Sequence, residues 1–172
     1  TPLFLFLSCK SKDDKLFKLL SSAETGIDFT NEIRESDSVN ILVDEYIYND
    51  GGVGVGDFNN DGLPDLYFSG NMDPNKLYLN KGNLEFEDIT EKAGVSGGGK
   101  WSSGVAVIDI NQDGLLDIYI GSTFRKDSLG KGNLLYVNQG VNEDKIPVFK
   151  ELSRQYGIAD IGFTTHSAFF DY

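Results

Sequence analysis

Asp57-Phe58-Asn59-Asn60-Asp61-Gly62-Leu63-Pro64-Asp65 is the stretch on which the reading of this chain turns, and it returns as Asp109-Ile110-Asn111-Gln112-Asp113-Gly114-Leu115-Leu116-Asp117. Both copies carry Asp, Asn, Asp and Asp at positions one, three, five and nine, with Gly at position six. A third copy is expected to begin at Asp171. Its approach, Ala168-Phe169-Phe170, matches Ala106-Val107-Ile108 before the second.

The spacing carries a chemical implication. Side-chain oxygens at positions one, three, five and nine can surround one cation, and the backbone carbonyl at position seven can join them. Calcium accepts about six to eight oxygens in flexible geometry, so hard donors of this kind suit it. Zinc would call for His or Cys, and neither occurs in the loops. Three clustered carboxylates repel one another unless a cation stands among them. Gly62 and Gly114 stand where a Cβ would obstruct a sharp bend. The expected ligands are therefore Asp57, Asn59, Asp61, Asp65 and the Leu63 carbonyl, then Asp109, Asn111, Asp113, Asp117 and the Leu115 carbonyl. Asp171 would open the third set.

The flanks point to strands. An EF-hand needs helices on both sides and Glu at position twelve, where this chain has Phe68 and Ile120. Val53-Gly54-Val55-Gly56 and Val105-Ala106-Val107-Ile108 precede the loops. Asp65-Leu66-Tyr67-Phe68 and Asp117-Ile118-Tyr119-Ile120 follow them, with alternating apolar positions. Each loop is thus expected at the tip of a β-hairpin. Asp57 and Asp109 are 52 residues apart, and Asp109 and Asp171 are 62 apart. Tyr78-Leu79-Asn80 returns as Tyr136-Val137-Asn138, and Phe86, Gly94 and Val95 return as Phe149, Gly157 and Ile158. The extra residues fall between these landmarks, where surface loops tolerate insertion. A period near 50 with about four strands per unit predicts propeller blades. The strands of the first unit are expected at 52–56, 64–69, 76–80 and 84–89. The fold class is all-β, an incomplete β-propeller of about two and a half blades.

These residues resemble the FG-GAP repeat, also called the VCBS repeat. The resemblance rests on Val55-Gly56-Asp57-Phe58-Asn59-Asn60-Asp61-Gly62-Leu63-Pro64-Asp65-Leu66. That family forms calcium-binding β-propellers. Gly26-Ile27-Asp28-Phe29-Thr30-Asn31 and Thr165-His166-Ser167-Ala168-Phe169-Phe170-Asp171-Tyr172 resemble bacterial surface proteins related to cartilage acidic protein. The resemblance spans about residues 25–172. It implies calcium ligation by the two loop sets. Loops clamped by calcium are then expected to present a rigid face to a protein or glycan ligand.

Charge and the N-terminus bound the remaining possibilities. The formal net charge is −12, which argues against nucleic acid, because phosphate binding needs a basic footprint. Thr1 to Leu7 is a short apolar run before Ser8-Cys9, well under the roughly 20 residues of a membrane span. Residues 1–8 are read as the tail of a truncated signal peptide. Cys9, the single Cys, stands where bacterial lipoproteins are lipidated. Lys10-Ser11-Lys12-Asp13-Asp14 resembles the signal that sends such proteins to the outer face of the outer membrane. Residues 9–24 are the expected tether, with Leu16-Phe17 and Leu19-Leu20 packed on the domain edge. Residues 25–172 are the propeller segment, to be completed by remaining blades of the same full-length chain.

A catalytic reading finds little support. His166 is the only His and aligns with Gly52 and Gly104, so its position belongs to the repeat. No Ser/His/Asp or Cys/His set assembles. Asp44-Glu45, read as strand neighbours, would point to opposite faces. The expectation is a non-catalytic calcium-binding segment. Its alternatives are the propeller part of a polysaccharide-active enzyme and a structural spacer. For the N-terminus, Cys9→Ala should abolish incorporation of labelled lipid by the expressed precursor. Thin-layer analysis checks this, and equal labelling of wild type would end the lipoprotein assignment.

Overall fold

The computed structural model describes residues 16–49, 51–123 and 132–170. Cys9 and Asp171 lie outside these described residues. Two antiparallel four-stranded sheets dominate them, each with its strands side by side in chain order. The first holds β1 (Val53–Gly56), β2 (Asp65–Phe68), β3 (Lys76–Asn80) and β4 (Phe86–Asp88). The second holds β5 (Ser102–Ile108), β6 (Asp117–Ser122), β7 (Leu134–Val141) and β8 (Pro147–Glu151). The fold is all-β in character, with two helices of 4 residues each among the described residues, α1 (Ser22–Thr25) and α2 (Thr90–Ala93).

Register places both Asp-rich stretches at hairpin tips. Gly56 pairs with Asp65 and Ile108 with Asp117, so residues 57–64 and 109–116 form the two turns. The first sheet's strands fall inside the spans read from the sequence. In the second sheet, Asn138 pairs with Phe149 across a bulge that ends at Val141 and Pro147. One of the two insertions between repeats is therefore an extension of the β7–β8 hairpin.

The sheets pack face to face. One apolar cluster joins Phe58, Tyr67, Leu77, Leu79, Ile89 and Val95 of the first unit to Val105, Ile118, Ile120, Tyr136 and Phe149 of the second. Burial of this area is the main stabilising term. Tyr67 is fully buried, which its hydroxyl tolerates because it is hydrogen-bonded on both sides. It donates to the Val95 carbonyl at 2.7 Å and accepts from Asn75 Nδ2 at 2.9 Å. Tyr119 repeats this with the Ile158 carbonyl at 2.9 Å and Asn133 Nδ2 at 2.8 Å. Gly94 and Gly157, with φ of 74° and 71°, turn the chain so that those carbonyls face the tyrosines.

A second set of contacts steps from unit to unit. Gly52 N donates to Ser103 O at 3.0 Å, and Ser102 N to Gly70 O at 3.0 Å. One unit later, Gly104 N donates to Thr165 O at 3.0 Å, and Thr164 N to Ser122 O at 3.2 Å. Residues 164–166 thus meet the second unit as residues 102–104 meet the first. The approach is too close for a side chain. A Cβ on Gly52 would stand 2.7 Å from Val105 N, and one on Gly104 would stand 2.5 Å from Thr165 O.

Two expectations need correction here. Leu16, Phe17 and Leu19 do not pack on a domain edge; they are 89%, 82% and 95% exposed. The nearby helix forms instead at Ser22–Thr25, where Ser21 and Glu24 cap each other reciprocally. Asp44 is flanked by turns that take in Glu45, and the pair does not lie in a strand. The Gly26–Asn31 phrase forms no regular element. It lies along the first sheet, with Phe29 stacked on Phe68 at 5.2 Å and the Tyr78 hydroxyl donating to Asp28 at 2.8 Å. Substituting Tyr67→Phe strands the Val95 carbonyl and an Asn75 N–H in the core. Urea denaturation should register a loss of about 1–3 kcal/mol.

Candidate functional site

The two hairpin tips are hydrogen-bonded in the same way, atom for atom. Asp57 opens the first turn by accepting Asp61 N at 3.0 Å and Gly62 N at 2.8 Å. Asp109 accepts Asp113 N at 3.1 Å and Gly114 N at 2.9 Å. The fifth-position carboxylates accept Leu63 N at 2.9 Å and Leu115 N at 2.8 Å. Asn59 Nδ2 donates to Asp61 at 2.9 Å, and Asn111 Nδ2 to Asp113 at 2.8 Å. Asp and Asn favour such bonds to nearby backbone N–H groups. The bend at position six is left-handed, with φ of 88° at Gly62 and 83° at Gly114. Asn60 and Gln112, at position four, are also left-handed, with φ of 55° and 58°.

The ninth-position carboxylates differ from the others. Asp65 and Asp117 are fully buried. Asp65 accepts Phe58 N at 2.9 Å on one oxygen and Asn80 N at 2.8 Å on the other. Asp117 accepts Ile110 N at 2.9 Å and Asn138 N at 2.8 Å. Each carboxylate thereby ties the start of the turn to the third strand of its sheet. Asn80 and Asn138 complete the frame. Their side chains donate to Pro64 O at 2.9 Å and Leu116 O at 3.2 Å, and accept Gly82 N and Gly140 N, each at 2.9 Å. Sequence reading had marked these two Asn residues as landmarks without a role. The signal was their recurrence beside a Tyr in the third strand.

The structure brings Asp57, Asn59, Asp61, Leu63 and Asp65 together in one turn, and Asp109, Asn111, Asp113, Leu115 and Asp117 in the other. Among the described residues, no three His, Cys, Asp or Glu side chains are already gathered as a metal-holding group. The loop carboxylates are instead engaged by loop N–H groups. The donor set nonetheless fits a hard divalent cation in kind, being oxygen throughout. An ionised carboxylate has about four lone-pair sites, so one accepted N–H per oxygen leaves ligating capacity. Cys9 and Asp171 stay outside the described residues. His166 is exposed and lies against Gly104, as its place in the repeat requires.

Asp-rich turns recurring at the tips of paired antiparallel strands define this as an all-β repeat. Comparisons with known proteins match part of the chain. A model of the FG-GAP-like repeat matches residues 41–120, so this region carries that repeat. The chain is also similar to cartilage acidic protein 1. It is 37% identical to the Xenopus tropicalis protein over 71 residues, which is 41% of this chain and 11% of that one. The Mus musculus protein gives 37% and the Homo sapiens protein 35% over the same lengths and shares. The match therefore spans about a tenth of those relatives.

Burial pushes the Asp65 carboxyl up to about 6, with Asp61 and Asp57 adding repulsion and the two N–H donors opposing it. Asp117 is raised for the same reasons. The folded state therefore holds this proton above the ordinary value of 3.8, where the unfolded chain has lost it. Stability from this group is complete below about pH 4 and is lost as pH rises through about 6. In calcium-free buffer, wild type should lose stability relative to Asp65→Asn between pH 4 and 6.5. Chemical denaturation at each pH checks the sign; a gain would mean that the N–H donors outweigh burial.

Proposed function

We propose that this chain is a non-catalytic, calcium-binding β-propeller segment of a lipid-anchored surface protein, used for recognition of a protein or glycan. The observation that carries the reading is the duplicated turn, identical in donor types, glycine position and hydrogen bonding. Asp57, Asn59, Asp61, the Leu63 carbonyl and Asp65 would hold one ion. Asp109, Asn111, Asp113, the Leu115 carbonyl and Asp117 would hold a second. When bound, calcium supplies positive charge that relieves carboxylate repulsion and fixes the turn. Affinity on the order of 10⁻⁴ to 10⁻³ M would match extracellular modules.

The propeller reading is supported by chain-order sheets and by contacts that repeat from unit to unit. Val53 and Val55 of β1 are 55% and 58% exposed, whereas the equivalent Val105 is 8% exposed against the first sheet. That face of β1 fits a neighbouring blade from elsewhere in the full-length chain. Recognition is the reading for the turns because repeated rigid tips present a defined surface. The similarity to cartilage acidic protein 1 supports a non-enzymatic role. Lipidation at Cys9 and display on the bacterial outer membrane rest on the N-terminal sequence. Asp61→Ala should lower the melting temperature far more in millimolar calcium than in chelator. Differential scanning calorimetry checks this, and equal losses in both buffers would remove Asp61 from the ligand set.

A further inference from the structure

We infer that the two turns bind calcium cooperatively, through Asn138; the inference rests on the calcium reading above and adds a coupling between its two sites. Asn138 is buried and touches both turns. Its Nδ2 donates to Phe58 O of the first turn at 2.8 Å and to Leu116 O of the second at 3.2 Å. Its backbone N donates to Asp117 at 2.8 Å. Phe58 in turn donates its N–H to Asp65 at 2.9 Å. A continuous path thus runs from the ninth-position carboxylate of one turn, through Phe58 and Asn138, to that of the next.

Two further contacts reinforce the path. The Phe58 ring is buried edge-on against Phe149 at 6.0 Å, and Phe149 pairs with Asn138 across β7 and β8. Asn60 Nδ2 reaches Gly114 O at 3.4 Å, joining tip to tip. The second residue of the first turn is therefore seated in the second unit by its ring and its carbonyl. Ordering one turn fixes Phe58, which fixes the Asn138 side chain, which frames the other turn. A ligand that orders one site then leaves less ordering to be done at the other, which is positive coupling. Asn138 is a positioning residue and contributes no ligand atom.

The experiment is calorimetric titration of the full chain with calcium. Asp113→Asn isolates the first site and Asp61→Asn isolates the second. The overall two-site association constant of wild type should exceed the product of the two single-site constants by at least about fivefold. In Asn138→Ala the excess should vanish while both sites still bind; Asn138→Ser replaces it if the alanine variant fails to fold. Two sites whose constants simply multiply in wild type would overturn the coupling and leave the calcium reading intact. Coupling that survives in a folded Asn138 variant would overturn the route. No heat of binding in wild type would sink the calcium reading, and the coupling with it.

Discussion

A buried carboxylate taking two backbone N–H groups is the interaction on which this architecture depends. Asp65 and Asp117 each sit at the point where a turn re-enters its sheet. One oxygen holds the second residue of the turn and the other holds the third strand. Charge-assisted bonds of this kind are among the stronger ones available to a protein. They are also demanding, because burying a carboxylate costs free energy that only well-aimed donors offset. A turn built on such a residue has little freedom in its first and last positions. The exposed fifth-position carboxylates between them, Asp61 and Asp113, are held by N–H groups of the turn itself.

The same economy of contacts repeats from unit to unit. A tyrosine in each second strand bonds to a carbonyl held by a left-handed glycine. Gly52, just before β1, and Gly104, near the start of β5, let the next unit approach to within backbone hydrogen-bonding distance. Neither sheet buries both faces alone, so each unit's apolar side chains are completed by the next. Val53 and Val55 of the first unit are exposed, whereas Val105 is buried against that unit. Self-similar units that rely on neighbours are what short-period repeat proteins require.

Much of this was legible in the residues. The turns were marked by Asp and Gly at fixed offsets, which local backbone chemistry makes nearly self-sufficient. The strands were marked by two-residue alternation, and their spans agree with β1 to β4 within one or two residues at each end. Gly94 and Gly157 could be matched by spacing, and both are left-handed. Less legible was α1, although Ser21 and Glu24 carry a capping-box spacing. The Leu16–Leu20 cluster misled because apolar composition suggests burial, while nothing in the sheets reaches Leu16, Phe17 or Leu19. Asp44 and Glu45 misled because periodicity was extended into a segment of turns.

What the sequence determined by itself was the local element: which residues turn, which extend, and which oxygens share a bend. Those properties depend on φ, on side-chain reach over a few positions, and on alternation, all of which spacing encodes. Only the tertiary structure decided that Asn138 would bond to Phe58, 80 residues away, and that Asp65 would be buried and its proton held more tightly. Hydrogen-bond partners and dielectric surroundings are set by which sheet faces which. That pairing arises when two half-buried surfaces close on each other, and no single stretch of chain contains it.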